Sequence, residues 1–314
     1  MESLICKENL PACMIGTWAW GNGMNGSKMV FGKRYSEEQL VKTFHKAYKA
    51  GFYMWDTAEV YGMGNSEKLL GKCIEGKVDI ILSTKYFPGK KYKSGVMKKS
   101  LTGSMERLGV SCIDLYWLHQ PFCLKENVTE AVEFLKAGNI KALGVSNASL
   151  KEVKEADCLL KKNGYRLSAV QNHFSLLSMG EEQLEIIEWC KENDVSYFGY
   201  MVLEQGALSG HYDSNHTFPT FSMRGFSFNR GKFKKIQKLL DYEDELAKKY
   251  HVDTSQIPIA WAVSKKIIPI VGLTKEKHAA ELEKGCKIVL SSDEIIKLEA
   301  LAKESGVVCK GSWE

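Results

Sequence analysis

Short apolar runs alternate with amphipathic stretches from one end of the chain to the other. Eight runs read as strands: Met14–Trp18, Phe52–Trp55, Asp79–Ser83, Ile113–Leu118, Ala142–Val145, Ala169–Gln171, Val195–Gly199 and Ile267–Val271. Several are continuous Val/Ile/Leu/aromatic runs, the pattern of parallel strands buried on both faces. Between them the apolar spacing turns helical. Ser36-Glu37-Glu38-Gln39 reads as an N-cap ahead of Leu40, Phe44, Ala47 and Tyr48, and Gly51 ends that helix. Asn65-Ser66-Glu67 opens a second helix, and Val96–Leu108 forms a third that Gly109 stops. Val128–Ala137 ends at Gly138; Leu150–Leu160, Glu182–Glu192 and Glu276–Glu283 complete the helical series. This β-α alternation predicts a closed (β/α)8 TIM barrel or a doubly wound sheet. No linker, repeat or low-complexity tract divides the chain, so residues 1–314 are expected to form one domain.

Composition narrows the class. At 44% hydrophobic and 26% charged residues, the chain is that of a globular protein able to bury a core. No apolar stretch approaches the ~20 residues that cross a bilayer. Met1-Glu2-Ser3-Leu4-Ile5-Cys6-Lys7 lacks the basic and apolar regions of a signal peptide. Nine cysteines without any Cys-x-x-Cys argue against a disulfide framework or zinc ribbon, and a reducing cytoplasm is the expected home. The net charge of +5 is spread along the chain, which predicts a solvated surface rather than a nucleic-acid face.

Two segments break the rhythm. Gly210 to Asn229 is Gly- and aromatic-rich with little periodicity, the signature of a functional lid. Gly21-Asn22-Gly23-Met24-Asn25-Gly26 fits the dinucleotide-binding G-x-G-x-x-G, which works only ahead of a helix. The continuation Ser27-Lys28-Met29-Val30-Phe31 shows no helical stripe, so a substrate-side loop is expected and a Rossmann fold is rejected.

The candidate chemistry gathers at strand ends. Asp56 and Tyr61 follow the second run, Lys85 the third and His119 the fourth. Each has an ordinary reading: a turn cap, a rim aromatic, an exposed lysine, a loop histidine. Together they make one site at a barrel mouth. An ammonium ~4 Å from a phenol, at an effective dielectric of about 20, favours phenolate by up to about 4 kcal/mol. That is roughly 3 pK units, enough to let Tyr61 exchange a proton near neutrality.

At this point the chain resembles the aldo-keto reductases. The matching stretches are Gly51-Phe52-Tyr53-Met54-Trp55-Asp56-Thr57-Ala58-Glu59-Val60-Tyr61-Gly62, Ser83-Thr84-Lys85, Asp114-Leu115-Tyr116-Trp117-Leu118-His119, Leu143-Gly144-Val145-Ser146-Asn147 and Val170-Gln171-Asn172. The resemblance implies an (α/β)8 barrel that binds NADP(H), or NAD(H), in extended form without a Rossmann domain. It makes Asp56, Tyr61, Lys85 and His119 a catalytic tetrad, with Tyr61 the general acid in reducing an aldehyde or ketone to an alcohol. Ser146, Asn147 and Gln171 would hold the nicotinamide carboxamide, Tyr200 would stack under the ring, and Gly16-Thr17-Trp18 would lie near its ribose. Leu203 and Gly206-Ala207-Leu208-Ser209 align with the pyrophosphate-side loop, and Gly210–Asn229 would fold over the cofactor.

The chain departs from the family pattern at the adenine end. After Gly272 it offers Leu273-Thr274-Lys275-Glu276-Lys277-His278 where Ser/Arg-type side chains are usual, and Leu282 stands near an expected Asn. Gly272, Thr274, Lys275 and His278 are therefore cofactor candidates, with NADPH favoured through Lys275 and Lys277. Met201-Val202 replaces the common Ser-Pro. Candidate walls for a small carbonyl or alcohol substrate are Trp18, Trp20, Tyr86, Phe87, Phe122 and Trp313. A regulatory subunit on the same scaffold, like the potassium-channel β-subunits, is the rival class. A metal-dependent barrel hydrolase would need a His-x-His pair, and none of the seven histidines forms one.

Overall fold

The computed structural model describes residues 10–23, 25–219 and 222–310, so the N-terminal heptapeptide and Trp313 lie outside the described residues. Eight parallel strands close into a barrel in sequence order. They are β1 (Met14–Gly16), β2 (Met54–Asp56), β3 (Ile81–Tyr86), β4 (Ile113–Leu118), β5 (Ile140–Ser146), β6 (Ala169–His173), β7 (Ser196–Tyr200) and β8 (Ile268–Gly272).

All eight expected strands exist, with shifted ends. β1 stops at Gly16, because Trp18 enters a 3-10 turn, Trp18–Trp20. β3 lies further along than expected: Asp79 takes a hydrogen bond from the Tyr48 hydroxyl (2.7 Å), and Lys85 is inside the strand. Asp56 closes β2, while His119 falls one residue past β4.

The helices are α1 (Ser27–Phe31), α2 (Glu37–Lys49), α3 (Asn65–Ile74), α4 (Val96–Leu108), α5 (Leu124–Lys136), α6 (Leu150–Lys161) and α7 (Glu181–Glu192), followed by α8 (Met223–Ser227), α9 (Arg230–Lys235), α10 (Gln237–Tyr250), α11 (Gln256–Ser264), α12 (Glu276–Gly285) and α13 (Ser292–Glu304). Ser36 caps α2 by accepting from the Gln39 N–H, as its sequence predicts. Ser27–Phe31, expected to be loop, is a single helical turn and a half with Gly32 as its left-handed C-cap. It is too short to make a Rossmann unit, and the closed barrel confirms the rejection of that fold.

Two-residue alternation builds the core. Met14, Met54, Leu115, Trp117, Ala142, Ala169 and Phe198 pack inside the barrel, while Ile15, Trp55, Tyr116, Leu143 and Val170 belong to the larger core under the helices. Gly144 is required here, since a Cβ on it would lie 2.3 Å from the Trp117 ring. Continuing the inner series to the C-terminal end of each strand gives Gly16, Asp56, Lys85, His119, Ser146, Gln171, Tyr200 and Gly272. The periodicity that fills the barrel thus delivers eight of the candidate residues to one mouth.

Candidate active site

Asp56 and Lys85 come from neighbouring strands and form a fully enclosed ion pair, Lys85 Nζ donating to Asp56 Oδ2. Lys85 Nζ also donates to the Thr57 carbonyl (2.8 Å), and Ser83 Oγ donates to Asp56 Oδ1 (2.6 Å). Ser83 was not singled out from sequence, yet it sits two residues before Lys85 on the inward series. Behind the pair, Thr17 Oγ1 donates to the Asp56 carbonyl (2.9 Å). The buried Glu67 carboxylate accepts from Thr84 Oγ1 (2.7 Å) and Arg107 Nε (2.6 Å).

Tyr61 lies over this pair, with Lys85 Nζ 5.1 Å from its ring centre. Its ring stacks on Trp18 (5.9 Å, 25°) and meets His119 edge-on (6.0 Å, 83°). The glycine-rich segment supports this loop by close approach: a Cβ on Gly21 would lie 2.7 Å from the Gly62 nitrogen. Gly21 therefore serves backbone packing beside Tyr61, and Gly26 packs on Gly21 in turn, where a Cβ would lie 2.3 Å from the Gly21 carbonyl oxygen.

Burial governs the protonation states. It pushes the Tyr61 phenol well above its usual range, with Asp56 and then Tyr200 adding to the rise. The sequence led us to expect the opposite, a phenol drawn down by Lys85. The ammonium's field is largely taken up by Asp56, and burial also lowers Lys85 against the pull of that carboxylate. Burial, then Lys85, holds His119 well below the ordinary histidine range, so its ring is neutral.

An elongated cleft crosses the mouth from this cluster to α12. Gly16, Thr17, Trp18, Asp56, Tyr61, His119, Ser146, Asn147, Gln171 and Tyr200 line its deep end, and Leu203, Gly206, Ser209, Gly272, Thr274, Lys275 and His278 its outer end. Lys85 lies beneath the wall. Leu208 does not line the cleft, contrary to expectation; its side chain is wholly in the core.

Asn147 adopts a left-handed backbone (φ 57°), which turns its side chain between His119 and Tyr200. Its Nδ2 donates to the His119 carbonyl (2.9 Å), and its Oδ1 accepts from the Tyr200 hydroxyl (2.5 Å). At the outer end Trp20 Nε1 donates to Leu273 O (2.8 Å) and Gln39 Nε2 to Thr274 O (2.5 Å), which pins the approach to α12. His278 is lowered to about 4 by burial, then by Lys277, Lys275 and His211.

The Gly210–Asn229 segment reaches the cleft through His211, Tyr212 and Arg224, none of which the sequence marks as a site residue. The Arg224 guanidinium lies over Phe218 (4.5 Å) and Tyr212 (5.2 Å) and donates from Nη1 to the Gln205 carbonyl (3.0 Å). Its helix α8 packs on α1. Of the expected substrate walls, Trp18 lines the cleft and Phe87 meets His119 edge-on (5.5 Å, 81°). Trp20 turns into the core, and Tyr86, Phe87 and Phe122, contrary to expectation, do not line the cleft.

An eight-stranded barrel with this constellation at its C-terminal mouth is an enzyme-type scaffold, and comparison with known proteins names the class. The aldo/keto reductase family model matches residues 13–303. The chain is 33% identical over 310 residues to the chloroplastic pyridoxal reductase of Arabidopsis thaliana, covering 92% of this chain and 82% of that protein. It is 27% identical to aldo-keto reductase yakc [NADP(+)] of Schizosaccharomyces pombe, covering 92% and 90%. Among solved structures, a thermostable aldo-keto reductase, Tm1743, bound to the inhibitor epalrestat superposes with a TM-score of 0.74 at 26% identity, covering 93% and 95%. The chain belongs to the aldo/keto reductase family, a family of oxidoreductases. Among the described residues, no helix is long and apolar enough to cross a membrane.

Proposed function

We propose that the protein is an NADPH-dependent reductase of aldehydes or ketones, working as one domain, with Tyr61 as the proton donor. The observation that carries this reading is the buried Asp56–Lys85 pair set under Tyr61 and beside a neutral His119, at the deep end of the cleft. A phenol held protonated suits a donor to a carbonyl oxygen, because that oxygen becomes a far stronger base than phenolate as it is reduced. Lys85, kept charged by Asp56, then faces the phenolate left behind. The neutral His119 ring offers a hydrogen bond to the substrate oxygen without competing for its proton.

The cleft fits an extended nicotinamide dinucleotide. Ser146, Asn147 and Gln171 bring polar groups together at the deep end beside the flat face of Tyr200, as a carboxamide-bearing ring needs. Gly206 adopts φ +105° in the turn below Arg224, and Lys275 and Lys277 stand where a terminal phosphate would reach. The name of the fission-yeast relative supports the phosphorylated cofactor. When bound, that cofactor supplies the hydride. The plant relative's name makes pyridoxal a first substrate to try, and the Trp18 and Phe31 rings in the cleft suit a planar aldehyde.

The test is a panel of aldehydes and ketones, pyridoxal included, followed by loss of NADPH absorbance in wild type and Tyr61→Phe. We expect turnover in wild type and a loss of about 10²–10⁴-fold in the variant with NADPH binding kept. Equal turnover in both would remove Tyr61 from the role.

A further inference from the structure

His173 is the inward residue of β6 beyond Gln171, and it pairs in register with Tyr200. It is completely buried and does not line the cleft. Its ring lies flat against the Tyr200 ring (5.6 Å, 17°), while the Tyr200 hydroxyl is held by Asn147. The plane of Tyr200 is therefore set at two points: ring on ring from behind, and hydroxyl at the rim.

His173 is itself fixed at both nitrogens. Nε2 lies 2.8 Å from Glu204 Oε1, and Nδ1 lies 3.3 Å from Ser178 Oγ. The tautomer with a proton on Nε2 satisfies both partners. Glu204 is also buried and accepts a second hydrogen bond from Ser175 Oγ.

Glu204 sits in the turn after β7, where the backbone is left-handed at Met201 (φ 58°), Glu204 (φ 47°), Gln205 (φ 54°) and Gly206 (φ 105°). Three of these are not glycine, and such conformations persist only when surrounding contacts hold them. Glu204 supplies that hold, because its carboxylate ties the turn to β6. The next carbonyl, Gln205, is the acceptor for Arg224 of the lid. One carboxylate thus links the aromatic platform, the strained turn and the lid.

We propose that His173 and Glu204 are positioning residues for the nicotinamide nucleotide: without lining the cleft, they fix the plane of Tyr200 and the conformation of the Met201–Gly206 turn. This rests on the cofactor reading above. Loosening the pair therefore weakens NADPH binding more than it changes the proton-transfer cluster on the opposite wall.

Equilibrium titration with NADPH, read by tryptophan fluorescence, tests this in Glu204→Leu, Glu204→Gln and His173→Phe, alongside steady-state constants. In Glu204→Leu we expect the dissociation constant and KM for NADPH to rise about tenfold, while kcat at saturating NADPH and the carbonyl KM stay within about threefold. Glu204→Gln should recover most of the affinity, since its amide oxygen still accepts from Ser175 and His173. His173→Phe keeps a ring behind Tyr200 but removes one of the two hydrogen bonds that hold the Glu204 carboxylate, leaving that from Ser175, so it should fall between the two. If Glu204→Leu does not fold, the volume-conserving His173→Phe and Glu204→Gln carry the comparison. Unchanged NADPH affinity in the folded variants, or a loss confined to kcat, overturns the proposal. Failure of the wild type to bind NADPH would instead overturn the cofactor reading.

Discussion

Lys85 and Asp56 illustrate how one contact can be structural and chemical at once. A buried pair of charges adds little net stability, but removing one partner leaves the other unpaired and costs about 3–5 kcal/mol. Lys85→Met should therefore lose stability as well as turnover, stranding the Asp56 carboxylate. Asp56→Asn/Lys85→Met removes both charges and keeps the acceptor for Ser83. Urea unfolding should show the double variant regaining more than half of the lost stability, and NADPH consumption should show it still inactive. A double variant no more stable than Lys85→Met would mean that the stranded Asp56 charge is not the source of the loss.

Among the elements, α10 carries an anomaly. Glu243 is wholly buried, and neither of its carboxyl oxygens finds a hydrogen-bond partner among the described residues. Burial raises its pKa well above the usual carboxylate range. In the unfolded chain the same group ionises near its ordinary value, so at intermediate pH the folded state binds the extra proton. Stability is then fully present in acid and falls as pH rises towards the folded pKa, by at most about 1.4 kcal/mol per pH unit. Glu243→Met, similar in volume, should abolish this slope and gain roughly 1–3 kcal/mol near neutrality. Thermal unfolding of both proteins between pH 5 and pH 8 measures it; parallel profiles would remove Glu243 as the cause.

The elements differ in how plainly the sequence announces them. The strands are legible because inner and outer faces are both apolar, which yields continuous runs. α11 is not, because Ile257, Ile259, Ala260, Trp261 and Ala262 are all buried and no polar face marks a period. α13 carries a legible signal, the capping box of Ser291 and Glu294. α9 and α10 follow the irregular lid, whose own short helix α8 is held by Arg224 and Ser222 rather than by a stripe. In the site, the tetrad is legible because Asp56, Lys85 and His119 stand at strand ends and Tyr61 in the loop that follows β2. The His173–Glu204 pair is not, since it joins residues 31 apart that carry no motif. The direction of the Tyr61 shift is not legible, because a charge is visible in a sequence and the depth of its burial is not.

At the scale of the whole molecule, the cleft spans the barrel mouth, so its two ends are built by different parts of the chain. The deep end is built on the strand ends and the residues just beyond them. The outer end draws Lys275, Lys277 and His278 from α12 and its approach, with His211 and Arg224 from the lid side. Lys277 is partly engaged by Glu281 (3.8 Å), which leaves Lys275 the better placed cation for a 2′-phosphate. Lys275→Ala should therefore lower the preference for NADPH over NADH by about three- to tenfold in kcat/KM, since a lysine is a point charge without arginine's fork. An unchanged ratio of the two cofactors would move the phosphate elsewhere.

The two-residue alternation of the strands also governs how this protein can change its length. One residue inserted in β3 between Ser83 and Lys85 would carry the lysine to the helix side and empty the mouth of its cation. Residues added at Gly76, Gly138 or Gly164, where a side chain would meet open space, leave every strand's count untouched. Insertions and deletions are thus tolerated where helices run into strands and forbidden within the strands themselves. The barrel can drift in size from below while the opposite rim keeps its tally to the residue.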